Sequence, residues 1–593
     1  MSAVLRATAE SSADWLGGGV SVTGRRWVTE PCDERMALAL AQAHGLPELA
    51  ARILVRRGIG LDGVESYLSP TLRGLLPDPS ELRDMDKAAE RLARAVMSGE
   101  RIALFTDYDV DGATSSALLL RFFRAVGSDP LLYVPDRVLE GYGPNAAAFQ
   151  HLAGLGARLV VTLDCGITAF EALSAARAAG LESIVVDHHA AEACLPEAFA
   201  VVNPNRLDES GALGHLAAVG VAFLVAIAVN RRLRDAGWYK DRAEPDLRQW
   251  LDLVALGTVA DVVPLHGLNR AFVAQGLKIM ASRRNPGLVA LADVAGLSET
   301  PAAYHLGFIF GPRVNAGGRV GQADSGARLL STEDSSEAAR LAVALDGYNT
   351  ERKTIEGATL EAAIAQIESR GSEGNVVIVA DEGWHPGVIG IVASRLVERF
   401  HKPACVVAIK DGVGKGSGRS VSGIDLGAAI IAARQAGLLS AGGGHKMAAG
   451  FTVAESGLDQ FREFLDARFA GSRADPVLSI DGALSCGGAT VALGEIIERL
   501  GPFGSGNAEP RFAMTGTRVV KADPVGTGHV RCILSDAAGP PLKGIAFRCA
   551  DTPVGQALLK SGGAPLAVAG RVKLDRWNGN LRVQLQIEDV ARL

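Results

Sequence analysis

Apolar positions change their spacing along this chain, and each change predicts a change of architecture. Residues 1–35 show neither a helical nor a strand period and read as a flexible N-terminal extension. From residue 36 to 100 apolar residues recur three or four apart, as in AAERLARAVMSGE (88–100), which predicts helices. The period then shortens. RIALFTD (101–107), PLLYVPD (130–136), RLVVTLDCG (158–166) and LESIVVDHH (181–189) are short apolar runs ending in polar residues. Helix-like stretches such as GATSSALLLRFFRAVG and AFEALSAARAAG lie between them, and helices dominate from there through residue 261. Strand and helix alternating at this spacing predict a parallel sheet with helices on both faces.

A second α/β unit begins near residue 374. NVVIVAD and PACVVAIK read as its strands, VIGIVASRLVERF and DLGAAIIAARQAG as its helices. Between the units, residues 335–369 hold no proline and many helix formers. They read as one long connecting helix, or as two helices broken at Gly347. Beyond residue 480 short strands take over, and AVAGRVKLDRW and NLRVQLQIEDV flank Asn578-Gly579, a hairpin signal. A small barrel of the OB type is expected there. The predicted organisation is an extension (1–35), a first α/β domain with N-terminal helices (36–330), a connecting helix (331–372), a second α/β domain (373–472) and an OB-type β-barrel (473–593).

Composition narrows the class. A chain of 593 residues exceeds one hydrophobic core, and 48% hydrophobic with 21% charged residues suits a soluble globular protein. The apolar stretch Leu216 to Val229 is shorter than the roughly 20 residues that span a bilayer, so it reads as a buried helix. No signal-peptide pattern opens the chain, and the seven cysteines form no CxxC pair. A cytoplasmic protein without disulfides or zinc ribbon is expected. The net charge of -6 announces no nucleic-acid binder, but a carboxylate cluster can coexist with a basic groove.

In an open parallel sheet, ligands bind beyond the carboxyl ends of the strands. That edge carries Asp107, Asp109 and Asp111 after the first strand, Asp164 after the third, and Asp187, His188 and His189 after the fourth. So many carboxylates in one place require counter-charge. Oxygen-rich ligation with one imidazole favours Mg2+ or Mn2+ over structural zinc. Two such ions form a clamp for in-line displacement at phosphorus, with water activated on a metal as nucleophile. Asp261, in WLDLVALGTVADVVPL (250–265), is either a further ligand or a helix-end aspartate. Arg313, Asn315 and Arg319 lie in the glycine-rich GPRVNAGGRVG (311–321), read as a loop that either meets a phosphate or carries solvated arginines. GKGSGRS offers Ser417, Arg419 and exposed amides for an anion, and GGGHKMAAG adds His445.

At these residues the chain resembles the RecJ family of the DHH phosphoesterase superfamily. DYDVDGATS (107–115), LDCGIT (163–168), DHH (187–189) and GTVADVVPL (257–265) match the superfamily's motif series, and DMDKAAERL (84–92) and PDRVLEGYGPN (135–145) that family in particular. GWHPGVIGIVASRL (383–396), GSGRS (416–420) and GGGHKMAAGF (442–451) resemble the DHH-associated domain, and the tail the family's OB domain. The resemblance implies two α/β domains joined by a helical linker and followed by an OB-type barrel. It also implies a 5′-to-3′ exonuclease on single-stranded DNA that releases mononucleotides with two divalent cations, Mn2+ or Mg2+. Asp109, Asp111, Asp164, His188 and Asp261 would be ligands, Asp164 bridging both ions and Asp107 binding directly or through water. Asp187 would orient its histidine neighbours, and His189 would face the phosphate or leaving oxygen. Arg137, Tyr142, Arg313, Asn315, Arg319, Ser417, Arg419 and His445 would contact substrate. Many superfamily members carry a His where this chain has Phe105. A single-stranded DNA-binding protein and a helicase are partners by analogy, with a monomer as the expected state. Two other readings compete: a DHH phosphodiesterase of short oligoribonucleotides or cyclic dinucleotides, and a scaffold that has lost its metals.

Overall fold

The computed structural model describes residues 13–136, 140–141, 143–370, 374–471, 476–537, 539–577 and 580–593. The chain divides into two compact units, residues 75–474 and residues 1–74 with 475–593.

The larger unit opens with helix α1 (Met85–Ser98) and a five-stranded parallel sheet. Its strands are β1 (Ile102–Thr106), β2 (Leu131–Tyr133), β3 (Leu159–Leu163), β4 (Glu182–Val186) and β5 (Ala200–Val202), in the order β2-β1-β3-β4-β5. Every residue of β1 and β3 is buried, as continuous apolar runs in a doubly covered sheet require. Helices α2 (Val110–Ala125) and α5 (Ala218–Asp235) pack against strands of the sheet. Helices α3 (Ala146–Gly154) and α4 (Phe170–Ala178) form an apolar cluster with Ala103, Phe105, Val160 and Val185. Phe105 belongs to that cluster, its ring stacked on Tyr133 at 5.4 Å. Helix α6 (Leu251–Ala260) packs on α2, and α7 (Gly311–Val320) follows a π-helical turn, Leu306–Phe310.

Helix α8 (Ser335–Arg370) runs unbroken for 36 residues. A side chain at Gly347 would meet nothing, so this glycine costs some propensity without forcing a break. The second sheet comprises β6 (Val377–Asp381), β7 (Ala404–Lys410), β8 (Val413–Arg419), β9 (Ala441–His445) and β10 (Ala448–Ala454), in the order β9-β10-β8-β7-β6. Helix α9 (Ile389–Phe400) packs on β7 and β8.

Two glycine-rich segments singled out for anion binding are strands. GKGSGRS forms most of β8, and GGGHKMAAG forms the β9–β10 hairpin. Gly414, Gly416 and Gly418 point into the core, where a Cβ on Gly416 would lie 2.2 Å from the Phe451 ring. Lys415, Ser417 and Arg419 alternate to the opposite face. The backbone amides expected to meet an anion are in a β-ladder instead.

In the smaller unit the C-terminal strands close a barrel. Phe512–Val525 pairs with His529–Ser535 and with Pro565–Trp577, while Leu542–Ala546 pairs with His529–Ser535 and Asn580–Arg592. Asn580–Arg592 returns to Pro565–Trp577, and turn residues 578 and 579 lie outside the described residues. Lys573 and Arg576 are ion-paired to Glu509 and Glu498.

The N-terminal region differs from expectation. Arg26–Thr29 is a strand between Ala13–Asp14 and Val477–Ser479. Trp27 is fully buried beside Leu478, Ile480 and Ala569, and its indole N–H donates to Asp589 Oδ2 at 3.1 Å. Leu40, Ile53, Leu54 and Tyr67, on the following helices, share a core with Phe512, Met514 and Val530 of the barrel. One tryptophan in a short polar context left no periodicity to read. Replacing Trp27 by Ala should cost the unit about 3–5 kcal/mol in urea unfolding; a loose extension would cost nothing.

Candidate metal centre

Strands β1 and β3 are adjacent, and the chain leaves β1 on one side and returns on the other. Such a switch opens a crevice beyond the strand ends. Asp107 and Asp164 stand at that opening, and Asp187, His188 and His189 follow β4 beside it. The turn from β1 into α2 is tight, because a Cβ on Gly112 would lie 2.4 Å from the Asp107 carbonyl. Asp109 caps α2, its Oδ1 accepting the amides of Asp111 (3.0 Å) and Gly112 (3.1 Å). Asp164 is held at φ 59°, a left-handed conformation rare for a non-glycine residue and common at functional sites. Gly257 lets α6 approach α2, since a Cβ there would sit 2.3 Å from Thr114 Oγ1. Asp261 is thereby delivered at the C-cap of α6.

The side chains converge on one space. Asp111 is fixed by two amides at the start of α5, Ala218 N–H to Oδ2 at 2.6 Å and Val219 N–H to Oδ1 at 2.9 Å. His188 Nδ1 lies 3.0 Å from the Leu216 carbonyl, which only accepts, so Nδ1 carries the proton and Nε2 a lone pair. That Nε2 is 3.3 Å from Asp164 Oδ1, 3.6 Å from Asp261 Oδ2 and 3.8 Å from Asp111 Oδ2. His188 Nε2, Asp164 Oδ1 and Asp261 Oδ2 are buried and have no donor. Acceptors facing acceptors in a buried site are relieved by a cation among them or, in its absence, by a proton taken up on a carboxyl. The atoms fall into sets within 4.8 Å of one another: Asp107, Asp109 and Asp164, and Asp111, His188 and Asp261. A third set joins Asp164 to His188 and His189, placing Asp164 between the first two. Oxygen donors with one imidazole fit Mn2+ or Mg2+.

Burial first, and then the charges of neighbouring aspartates, push these carboxyls up: Asp111 to about 7, Asp261 to about 9, and Asp164 well above the ordinary range. Asp187 goes the other way. Burial opposes its charge, but the His189 ring and the amides of Ile167 and His189 outweigh it and lower its pKa. Its Oδ1 accepts from His188 N, His189 N and His189 Nδ1 (2.7, 3.1 and 2.8 Å), its Oδ2 from Ile167 N at 3.0 Å. Burial also opposes charge on His189, yet the hydrogen bond to Asp187 lifts it to about 9. His188 is lowered by burial and by the charge of His189.

Asn203 and Asn205 were not singled out by the sequence. Asn203 Nδ2 donates to the His189 carbonyl at 2.9 Å, and Asn205 Nδ2 to the carbonyls of His188 (2.5 Å) and Gly214 (3.1 Å). The Asn-Pro-Asn after the apolar AVV run was the available signal.

The other candidates are dispersed. Arg137 and Tyr142 lie outside the described residues. Arg313, Asn315 and Arg319 stand on helix α7 instead of a loop. Pro312 occupies a tolerated first-turn position, and Gly318 is needed where a Cβ would meet the Tyr108 carbonyl at 2.9 Å. Arg313 bonds to Asp346 (2.8 Å) and the Ile309 carbonyl (2.9 Å). Asn315 Oδ1 accepts the Val110 amide at 3.1 Å, steadying the segment between Asp109 and Asp111. One turn on, Arg319 donates to the Gly387 carbonyl at 2.9 Å and lines a cleft of about 880 Å³ with Lys415, Ser417 and Arg419. His445 is exposed at the end of β9, outside the lining of that cleft.

A switch-point crevice of buried carboxylates around an Asp-His-His turn, followed by a second glycine-rich α/β sheet, defines a DHH-type phosphoesterase. Residues 101–258 match the DHH family, N-terminal domain; 373–471 the DHHA1 domain; and 480–589 the RecJ OB domain. The chain is 38% identical to the single-stranded-DNA-specific exonuclease RecJ of Dickeya dadantii, over 92% of this chain and 96% of that protein. It is similar to the crystal structures of Thermus thermophilus RecJ with Mn2+ (TM-score 0.78, 31% identity, 94% of this chain and 78% of that one) and with Mg2+ (0.73, 30%, 94% and 77%). The chain belongs to the RecJ family. Among the described residues no helix is long and apolar enough to cross a membrane.

Raised carboxyls stabilise the metal-free fold below about pH 4, and that contribution is lost as pH rises through about 7 and about 9 at Asp111 and Asp261. The melting temperature of chelator-treated protein should therefore fall from about pH 5 to about pH 9. Added Mn2+ should raise it more at the higher pH. A gain independent of pH would detach the ion from these carboxylates.

Proposed function

We propose that this protein is an exonuclease that hydrolyses single-stranded DNA 5′-to-3′, releasing 5′-mononucleotides, with two divalent cations, Mn2+ or Mg2+. The observation that carries the reading is the set of buried acceptors, Asp164 Oδ1, Asp261 Oδ2 and His188 Nε2, that face one another without a donor. Asp107, Asp109 and Asp164 would hold one cation and Asp111, His188 and Asp261 the other, with Asp164 close to both sets. Bound there, the cations supply Lewis acidity for displacement at phosphorus. Phe105, packed in the core, leaves the first set all-carboxylate.

The chain's own groups do the rest. Asp187 fixes the backbone and ring of His189, whose raised pKa keeps it cationic at neutral pH and able to face a phosphate or leaving oxygen. Arg319, Ser417 and Arg419 hold a terminal phosphate in the cleft, with Lys415 adding charge. Helix α7 sets the spacing. Asn315 touches the metal-site turn and Arg319 the cleft, four residues and about 6 Å of helix rise apart. Such a fixed offset makes cleavage proceed from an end. The OB barrel suits a strand longer than a dinucleotide. A monomeric cytoplasmic enzyme that works beside a single-stranded DNA-binding protein and a helicase in repair and recombination fits this reading.

The test is cleavage of 40-mers labelled at either end, with Mn2+ or Mg2+. Mononucleotides should leave from the 5′ label, and Asp164→Asn should lower the rate by about a thousandfold or more. Intact 40-mers alongside cleaved dinucleotides would reassign the substrate. No cleavage with either metal would favour a scaffold. Asn205→Ala should weaken Mn2+ binding by about ten- to a hundredfold in titration calorimetry, because it frees the backbone that aims His188.

A further inference from the structure

His188 and Asp261 reach the metal centre from distant parts of the chain, and one buried side chain outside the ligand sets joins the backbone behind them. Residues 214–216, just before α5, form a strap whose successive carbonyls are each claimed by a different side chain. Asn205 Nδ2 donates to Gly214 (3.1 Å), Asn269 Nδ2 to His215 (2.6 Å) and His188 Nδ1 to Leu216 (3.0 Å). The amides of Ala218 and Val219, directly beyond the strap, hold Asp111. Asn269 Nδ2 also donates to the Pro264 carbonyl at 3.0 Å, in the loop that follows Asp261. One amide group thus ties the strap behind His188 and Asp111 to the loop behind Asp261. Asn205 reaches the strap alone.

Asn269 stands on a rigid element. It is fully buried in the first turn of the helix Gly267–Ala281. That helix lies tight against α6, since a Cβ on Gly276 would be 2.1 Å from the Leu251 carbonyl. Both groups facing Nδ2 are carbonyls, which only accept, so chemistry fixes the orientation of the amide. Its Oδ1 is buried and meets no donor among the described residues. An amide left half unpaired costs more than an apolar side chain of its size, so its value here lies in the bonds it donates. The loop it holds is strained. Val262, next to Asp261, has φ 63°, a left-handed conformation that a β-branched residue rarely adopts. Such a conformation persists where the surroundings impose it.

We propose that Asn269 is a positioning residue that sets Asp261 against His188 and Asp111, and with it the affinity of the cation those three would hold. The inference rests on the two-cation reading above. Asn269 belongs to none of the ligand sets and acts through the carbonyls of His215 and Pro264.

The test titrates Mn2+ into the chelator-stripped full chain by calorimetry. Asn269→Ala should weaken one of the two ions by about ten- to a hundredfold and leave the other unchanged. In an Asp109→Asn background, where the set of Asp111, His188 and Asp261 is complete, the whole loss should persist. In an Asp261→Asn background Asn269→Ala should add nothing, because the side chain it positions no longer binds. Val262→Gly, which relieves the strained loop, should return part of the lost affinity. Asn269→Asp keeps the size without the N–H pair and should match Asn269→Ala, which covers a failure of Asn269→Ala to fold. Equal weakening of both ions, an unchanged titration, a full further loss on Asp261→Asn, or no recovery with Val262→Gly overturns the assignment. Loss of a cooperative melt in both Asn269 variants would make the residue a requirement of folding and overturn it too. Two ions bound by the unmodified chain without cleavage of DNA would refute the exonuclease reading and leave the assignment standing. No uptake of Mn2+ by the unmodified chain would refute the two-cation reading and the assignment with it.

Discussion

A carboxylate taken out of water needs a donor or a positive charge, and at the end of this parallel sheet several are taken out together. Asp111 and Asp164 are buried, Asp261 is half-buried, and the imidazole among them presents a lone pair where a proton would have offered relief. The surroundings preserve that frustration. Leu216 claims the proton-bearing nitrogen of His188, two amides at the start of α5 hold Asp111, and the Asp164 backbone is kept left-handed. A fold that holds acceptors this close without donors is completed by cations.

The same constraint explains the helices around the site. α6 comes close to α2 only because residue 257 is glycine, and α7 packs on Tyr108 only because residue 318 is. Through Asn315 and Arg319 a single helix touches both the metal-site turn and the anion-lined cleft of the second sheet. Geometry set at the centre is thus carried to the place where a strand end is expected.

Much of this was legible in the sequence. Apolar runs ending in Asp107, Asp164 and Asp187 predicted a parallel sheet and its reactive edge, because strand direction and the switch-point rule leave little freedom. The glycine-rich segments misled. In GKGSGRS the glycines alternate with larger residues, a period-two strand pattern obscured by their turn-forming reputation, and in GPRVNAGGRVG they mark close helix packing. The long helix could not be decided locally, since an exposed Gly347 is compatible with either outcome. Trp27 and the asparagines 203 and 205 act through partners distant in sequence, or through backbone that only the fold brings near.

Anomalous scattering at the manganese edge, from crystals grown with Mn2+, tests the central claim most directly. The account predicts two peaks, one among Asp107, Asp109 and Asp164 and one among Asp111, His188 and Asp261. A crevice without manganese, or a single ion bound elsewhere, would contradict it.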